Sequence, residues 1–231
     1  MPAASANMKP YRGMAMEGPV ASWYARNTAS SAGEFAELAR RVAAELTPGA
    51  AVLEIAPGPG YLAIELARRG PWQVTGLDIS HSFVRIASEN AARAGVAVSF
   101  RHGNAAAQPF APCSFDFIVC RAAFKNFADP IGALTEMHRV LLPRGTALII
   151  DMRKDATDAA VDDQVSRMGL GTLSRWMTRM ILKSLRRRAY SGQDFERMIA
   201  ASPFGRGEIN AAPLGFEVRL MKETDAVAAA S

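Results

Sequence analysis

Glu54 stands inside an apolar run, Val52-Leu-Glu-Ile55, four residues before the first of two glycines, Gly58 and Gly60. An acid in such a run needs a reason, because burying a charge without a partner is costly. A second acid, Asp78, ends another apolar run that begins at Gln73. It falls about 20 residues past the glycines, where a carboxylate that holds a ribose belongs. Asn104 follows Gly103 after a third run, Val96 to Phe100. The spacing aims three strand ends at one ligand. Glycines without side chains let that ligand lie against the backbone.

The elements that must position these residues read directly from periodicity. Val52, Leu53 and Ile55 suit a strand buried on both faces. Leu62, Ile64 and Leu66 suit a helix stopped by Gly70-Pro71. Strand, glycine turn and helix together open a nucleotide-binding α/β sheet. Ser80 caps a helix running to Ala94, with Gly95 as its stop. Further strands are expected at Phe115–Cys120 and Thr146–Asp151, around a helix from Pro130 to Leu142. Ile209 and Leu214–Met221 read as the last two strands, the latter alternating with period two. Glu34 to Leu46 reads as a helix with Phe35, Leu38, Val42 and Leu46 on one face.

Residues 155–190 break this alternation as a helical insertion rich in Met, Leu, Trp and Arg. The 231 residues fit a single domain over 11–222, with a small, polar tail at 1–10 expected to be disordered and a frayed tail at 223–231. The formal charge of +5 is compatible with nucleic acid, an anionic membrane surface or an acidic substrate, or with no functional meaning. Cys113 and Cys120 lack metal or redox spacing, and Cys120 reads as a buried free thiol. No metal site is expected. No apolar run is long enough to span a bilayer, and nothing requires an oxidising compartment, so the expected location is cytoplasmic.

Glu54-Ile-Ala-Pro-Gly-Pro-Gly60, Leu77-Asp-Ile79, Gly103-Asn-Ala105 with Pro109-Phe110, Ser114-Phe-Asp-Phe-Ile-Val119 and Val140-Leu-Leu-Pro-Arg-Gly145 resemble successive motifs of class I S-adenosylmethionine-dependent methyltransferases. The resemblance covers roughly Ala50 to Asp151 and is nearest to the small-molecule branch typified by quinone-biosynthesis enzymes. It implies a Rossmann-like α/β fold: a seven-stranded, mostly parallel sheet with helices on both faces and the last strand antiparallel. It also implies an N-terminal cap over 11–48 and a helical lid after strand five. The implied cofactor is S-adenosylmethionine, with S-adenosylhomocysteine as product. Glu54 would face the amino group of the methionine moiety, and Ala56, Gly58 and Gly60 would form the cradle. Asp78 would take the ribose hydroxyls, and Ile79 would pack on the adenine. Asn104, where the family usually has Asp, would read the adenine edge with Ala105. The backbone of Cys120 and Arg121 would pass under the methionine moiety.

The acceptor side is less determined. Many relatives carry histidines after strand four, whereas this chain has Phe124-Lys-Asn-Phe127. Of three histidines only His102 lies near a ligand loop, so a histidine base is poorly supported. Lys125, Asn126, Arg153 and Lys154 favour an anionic or already nucleophilic acceptor; the alternative is ordinary solvated loop charge. Tyr24, Lys125 and Asp151 are the candidates to orient or deprotonate it, and Phe124, Asn126, Arg153 and Trp176 the candidates for the pocket. The Met-rich insertion suggests a quinone-like or lipid-like molecule. Its basic stretch, 167–188, can form the lid, pack on the core or lie peripherally on an anionic membrane. A dinucleotide dehydrogenase explains neither Glu54 nor Asn104. A nucleic-acid enzyme lacks its Asn-Pro-Pro-Tyr-like site and a basic, aromatic-interleaved domain. A non-catalytic cofactor-binding protein is a further alternative. The oligomeric state is left open.

Overall fold

The computed structural model describes residues 11–12, 16–28, 32–167 and 171–224. The expected tails at 1–10 and 225–231 lie outside these residues, as do Met14, Met168 and Leu170. Seven strands form one sheet: β1 Ala51–Ile55, β2 Gln73–Asp78, β3 Ser99–His102, β4 Phe115–Arg121, β5 Leu141–Met152, β6 Glu208–Ala211 and β7 Gly215–Met221. Their order is β3-β2-β1-β4-β5-β7-β6. The first five run parallel, and β7 is antiparallel to both neighbours. Strand order reverses between β1 and β4, so the crevice at their carboxyl ends is the place for a ligand in such a sheet. Register lines these ends up: Ile55 faces Leu77 and Cys120, and Asp78 faces His102.

Eight helices complete the described chain: α1 Gly18–Thr28, α2 Ala32–Ala43, α3 Tyr61–Ala67, α4 His81–Ala94, α5 Pro130–Val140, α6 Asp158–Arg167, α7 Thr172–Arg188 and α8 Gly192–Ala200. One core joins Leu53, Ile55, Ile118 and Ile149 of the sheet to Leu134 of α5 and Phe195 of α8. The other joins Val52, Val74 and Val119 to Leu38 of α2 and Leu62 of α3. Period-two alternation therefore puts Glu54 on the second face, toward α3.

Two boundaries differ from expectation. The third strand starts at Ser99, not Val96, because Val96 N–H bonds back to Ala91 and Gly95 N–H to Ala92. This closing motif consumes the residues after the helix. Helix α5 ends at Val140, since Leu141 already pairs with Phe115; the register then jumps to Phe117 opposite Thr146. The insertion consists of the two helices α6 and α7, joined by the ion pairs Arg179–Asp162, Lys183–Asp158 and Arg186–Asp158.

The N-terminal segment is fastened across α4. Glu17 accepts from the N–H groups of His81 and Ser82, satisfying donors that a helix start leaves open. Ser80 Oγ donates to Met16 O and accepts from Phe83 N–H. Ala21 and Ala25 of α1 pack on Phe83 and Ile86.

The glycine turn is tight at one point. Gly60 has φ 81°, and a Cβ there would lie 2.7 Å from the Phe100 ring and 2.9 Å from Ala87 Cβ. Left-handed strain and overpacking together predict that Gly60→Ala destabilises the fold by about 2–4 kcal/mol. Urea denaturation measures this; an unchanged midpoint would show that the turn does not need glycine.

Candidate active site

Glu54 is a buried acid within β1. It is 4% exposed, and its carboxyl accepts the N–H of Ala63 in the first turn of α3. Its Oε2 is buried with no hydrogen-bond partner among the described residues. Burial pushes its pKa up to about 8, against the opposing pull of that N–H and of Arg121. A native structure seldom leaves a buried acceptor unmatched, and such an atom calls for an explanation.

Asp78 sits at the next strand end. Oδ1 accepts from Ser80 N–H at 2.9 Å and Oδ2 from Gly58 N–H at 3.0 Å. Burial raises its pKa to about 6, the two N–H groups holding it lower than burial alone would. An ionised carboxylate offers about four acceptor positions, so two hydrogen bonds do not saturate it. The carboxylate thus ties the glycine turn to the start of α4 and keeps capacity for hydroxyl donors.

Between the two acids runs the turn. Ala56 has φ 56° and Gly58 φ 54°. A Cβ at Gly58 would meet only the Tyr24 ring, at 4.0 Å. The turn therefore presents bare backbone to a space roofed by α1. Tyr24 is half-buried, packs edge-on against Phe83, and has its hydroxyl pKa raised by burial. Ala122, the residue after β4, has φ 58°. Both central strands thus end in a left-handed alanine, a conformation that costs about 1–2 kcal/mol each for a non-glycine residue.

Asn104 is half-buried, and its Oδ1 accepts from Ala106 N–H at 3.0 Å. This leaves its amide donors for a ligand, with the half-buried Ile79 and Ala105 beside the same strand ends. His102 bonds Ile79 O and stacks on His81 at 3.6 Å. Cys120 is fully buried, its thiol pKa pushed well up by burial. Arg121 pairs with Glu34 at 2.5 Å and lies over the Phe35 ring, within electrostatic reach of Glu54 and Tyr24.

The residues expected on the acceptor side are placed differently from one another. Lys125 and Asp151 form a buried pair, with Nζ 2.8 Å from Oδ1 and side-chain exposures of 5% and 1%. Lys125 N–H also donates to Asp151, and Nζ donates to Ala122 O. The pair pins the 3-10 helical turn Phe124–Asn126 onto β5. Phe124 is fully enclosed by Phe127, Tyr190 and Phe195, so it is a core residue and not an open wall. Asn126 is buried, and its carbonyl accepts from Arg12 N–H. Arg153 is occupied by Asp155 and lies over the Phe216 ring. Trp176 is 61% exposed on α7.

Tyr11 was not singled out for chemistry by sequence. It bridges to Phe127, is half-buried, and has its hydroxyl pKa raised by burial and then by Tyr24, Asp78 and Asp151. Its phenol thus stands within electrostatic reach of both strand-end acids. An N-terminal aromatic in a stretch with no periodicity carries no signal for this.

These residues fit S-adenosylmethionine. An orphaned buried carboxylate oxygen suits a cationic amino group, Asp78 suits vicinal hydroxyls, and the bare turn between them suits a close-lying ligand. The profile of the methyltransferase domain family matches residues 53–149. Those residues are similar to a methyltransferase domain. Demethylmenaquinone methyltransferase of Deinococcus radiodurans is 35% identical to the chain over 107 residues, 46% of this chain and 44% of that protein. The ubiquinone/menaquinone biosynthesis C-methyltransferase UbiE of Marinomonas is 34% identical over 124 residues, 51% of this chain and 49% of that one. The chain spans about half the length of the curated relatives it matches. A solved S-adenosyl-L-methionine-dependent methyltransferase of Methanococcus maripaludis superposes with a TM-score of 0.73 at 18% identity, over 96% of this chain and all of that one. The [4+2]-cyclase SpnF shares the fold at a TM-score of 0.54, 20% identity and coverage of 81% and 80%. Likeness at that identity speaks for the fold alone and not for the chemistry.

The raised carboxyl pKa values make stability depend on pH. The folded chain keeps a proton on Glu54 from pH 4.5, its ordinary value, up to about 8, where the unfolded chain has lost it. Stability therefore falls as pH rises through that window. Glu54→Gln removes the titration. The variant is expected to match the wild type near pH 5 and to melt at a higher temperature near pH 9. Parallel melting curves across the range would contradict a buried, protonated Glu54.

Proposed function

We propose that the chain transfers the methyl group of S-adenosylmethionine to a small acceptor that is apolar or anionic, quinone-like or lipid-like in character. The observation that carries this reading is the orphaned oxygen of Glu54 beside Asp78, with open space over the backbone of Gly58. When bound, S-adenosylmethionine supplies an already activated methyl group on its sulfonium and leaves as S-adenosylhomocysteine. The protein's part is then position and electrostatics.

Each residue has a share in that. Glu54 takes the amino group of the methionine moiety, and the backbone of Cys120 and Arg121 flanks it. Ala56 and Gly58 give close backbone approach, and Gly60 lets the turn seat against Phe100 and Ala87. Asp78 accepts from the ribose hydroxyls. Ile79 covers one face of the adenine, and Asn104 and Ala105 address its edge. Tyr24 and Tyr11 roof the turn and exclude water from the reacting centre. Lys125 and Asp151 serve as positioning residues: their pairing holds the turn after β4 against β5 and so fixes the floor on the acceptor side. Tyr24 is the group placed to reach the acceptor itself.

The relatives named for demethylmenaquinone and for ubiquinone/menaquinone biosynthesis support a quinone-like acceptor. The sequence of the turn after β4 supports a mechanism without a histidine base. Holding acceptor and methyl donor in line can lower a barrier by roughly 7–11 kcal/mol in favourable cases, so position alone is a sufficient contribution.

Asp78→Ala removes two acceptor oxygens from the ribose and one tie of the glycine turn. Calorimetric titration with S-adenosylmethionine is expected to show at least a tenfold loss of affinity, in a variant whose circular dichroism stays native. Unchanged affinity would overturn the cradle.

A further inference from the structure

The helical insertion presents a surface that the proposed methyl transfer does not use. One side of α7 faces α6 through Arg179, Lys183 and Arg186, each paired with an aspartate of that helix. Leu182 and Leu185 are partly buried on the same inward side. The other side carries Trp176, Met177, Met180 and Ile181, each at least 50% exposed. At 3.6 residues per turn these four fall within one arc of about 140°. Arg187 and Arg188 extend that arc at the helix end; both are exposed and enter no ion pair among the described residues.

Four large apolar side chains in one exposed patch mark an interaction surface rather than scattered surface hydrophobics. Packing on the core does not explain them, since they are exposed and are not on the side of α7 that pairs with α6. The charge selects the partner. The sequence of α7 holds six Arg or Lys and no Asp or Glu. A second copy meeting the same face would bring two such helices together, a like-charge arrangement that is penalised. An anionic lipid surface answers both features: headgroup phosphates attract the arginines, and the acyl boundary takes the apolar arc. Trp suits that boundary, with an apolar ring and one polar N–H. Among the described residues no helix is long and apolar enough to cross a membrane, so contact would be in the plane of the surface.

We propose that α7 is a docking helix that lays Trp176, Met177, Met180 and Ile181 into the headgroup boundary of an anionic bilayer, with Arg187 and Arg188 on lipid phosphates. This does not rest on the methyl-transfer reading, because lipid binding is read without cofactor or acceptor.

The test is flotation of the full chain with vesicles of phosphatidylcholine alone and of phosphatidylcholine mixed with phosphatidylglycerol. The chain is expected to float with the mixed vesicles, to stay behind with the neutral ones, and to be released by added salt. The double substitution Trp176→Ser with Met180→Ser touches only exposed side chains and is expected to lower partitioning tenfold or more. Arg187→Gln and Arg188→Gln are expected to lower it by about fivefold each. Absence from the mixed vesicles overturns the proposal, as does equal flotation of the Trp176→Ser, Met180→Ser variant. A lipid-free dimer that this variant dissolves, without lipid binding by the wild type, overturns it in favour of a second copy. Cofactor affinity measured on the same variant should be unchanged, which separates a failure here from a failure of the cradle.

Discussion

Two carboxylates held out of water at adjacent strand ends are the constraint on which the structure of this site depends. Glu54 and Asp78 are each about 5% exposed or less. Desolvation alone pushes both toward the neutral form. Asp78 is compensated by two backbone N–H groups, and those contacts weld the glycine turn to the start of α4. Glu54 is compensated on one side only. An apolar residue in its place would make a more stable strand. In the proposed reading, that stability cost is offset by a ligand that brings positive charge.

Other features of the site can be understood as supports for that arrangement. Left-handed Ala56 and Ala122 end the two central strands, β1 and β4, which turns the backbone sharply away from the crevice between them. Strain of this kind persists only where surrounding contacts over-determine it. Around Ala122 the contacts are those of Lys125, whose ammonium bonds its carbonyl and Asp151 together. A buried pair of this sort is weak support for stability by itself, since desolvation offsets much of its attraction. It does fix geometry, because losing either partner strands a buried charge. On the open side, Glu17, Ser80 and Ser82 clamp the N-terminal segment so that Tyr24 lies over Gly58.

The sheet was legible in the sequence because its strands are apolar runs bounded by glycine and proline, and because Glu54 and Asp78 are anomalies against that background. The candidate cradle was read from the sequence for the same reason. Other parts depend on information that local patterns do not hold. The start of β3 was displaced by a capping motif that depends on two hydrogen bonds across Gly95. Lys125 and Asp151 are 26 positions apart, and only the parallel register of β4 and β5 brings them into contact. Tyr11 reaches Phe127 across the fold from a stretch with no periodicity. Both sides of α7 carry apolar residues, so the rotation of that helix about its axis was undetermined in the sequence. The aspartates of α6 set that rotation by pairing with Arg179, Lys183 and Arg186.

The claim that a protonated Glu54 awaits a cationic group can be measured without any acceptor. Titration calorimetry with S-adenosylmethionine near neutral pH, in buffers of differing ionisation enthalpy, counts the protons exchanged on binding. Binding beside Glu54 should drive its carboxyl to ionise. The wild type is therefore predicted to release more protons than the Glu54→Gln variant does. Equal proton exchange by the two proteins, with binding retained, would contradict the account.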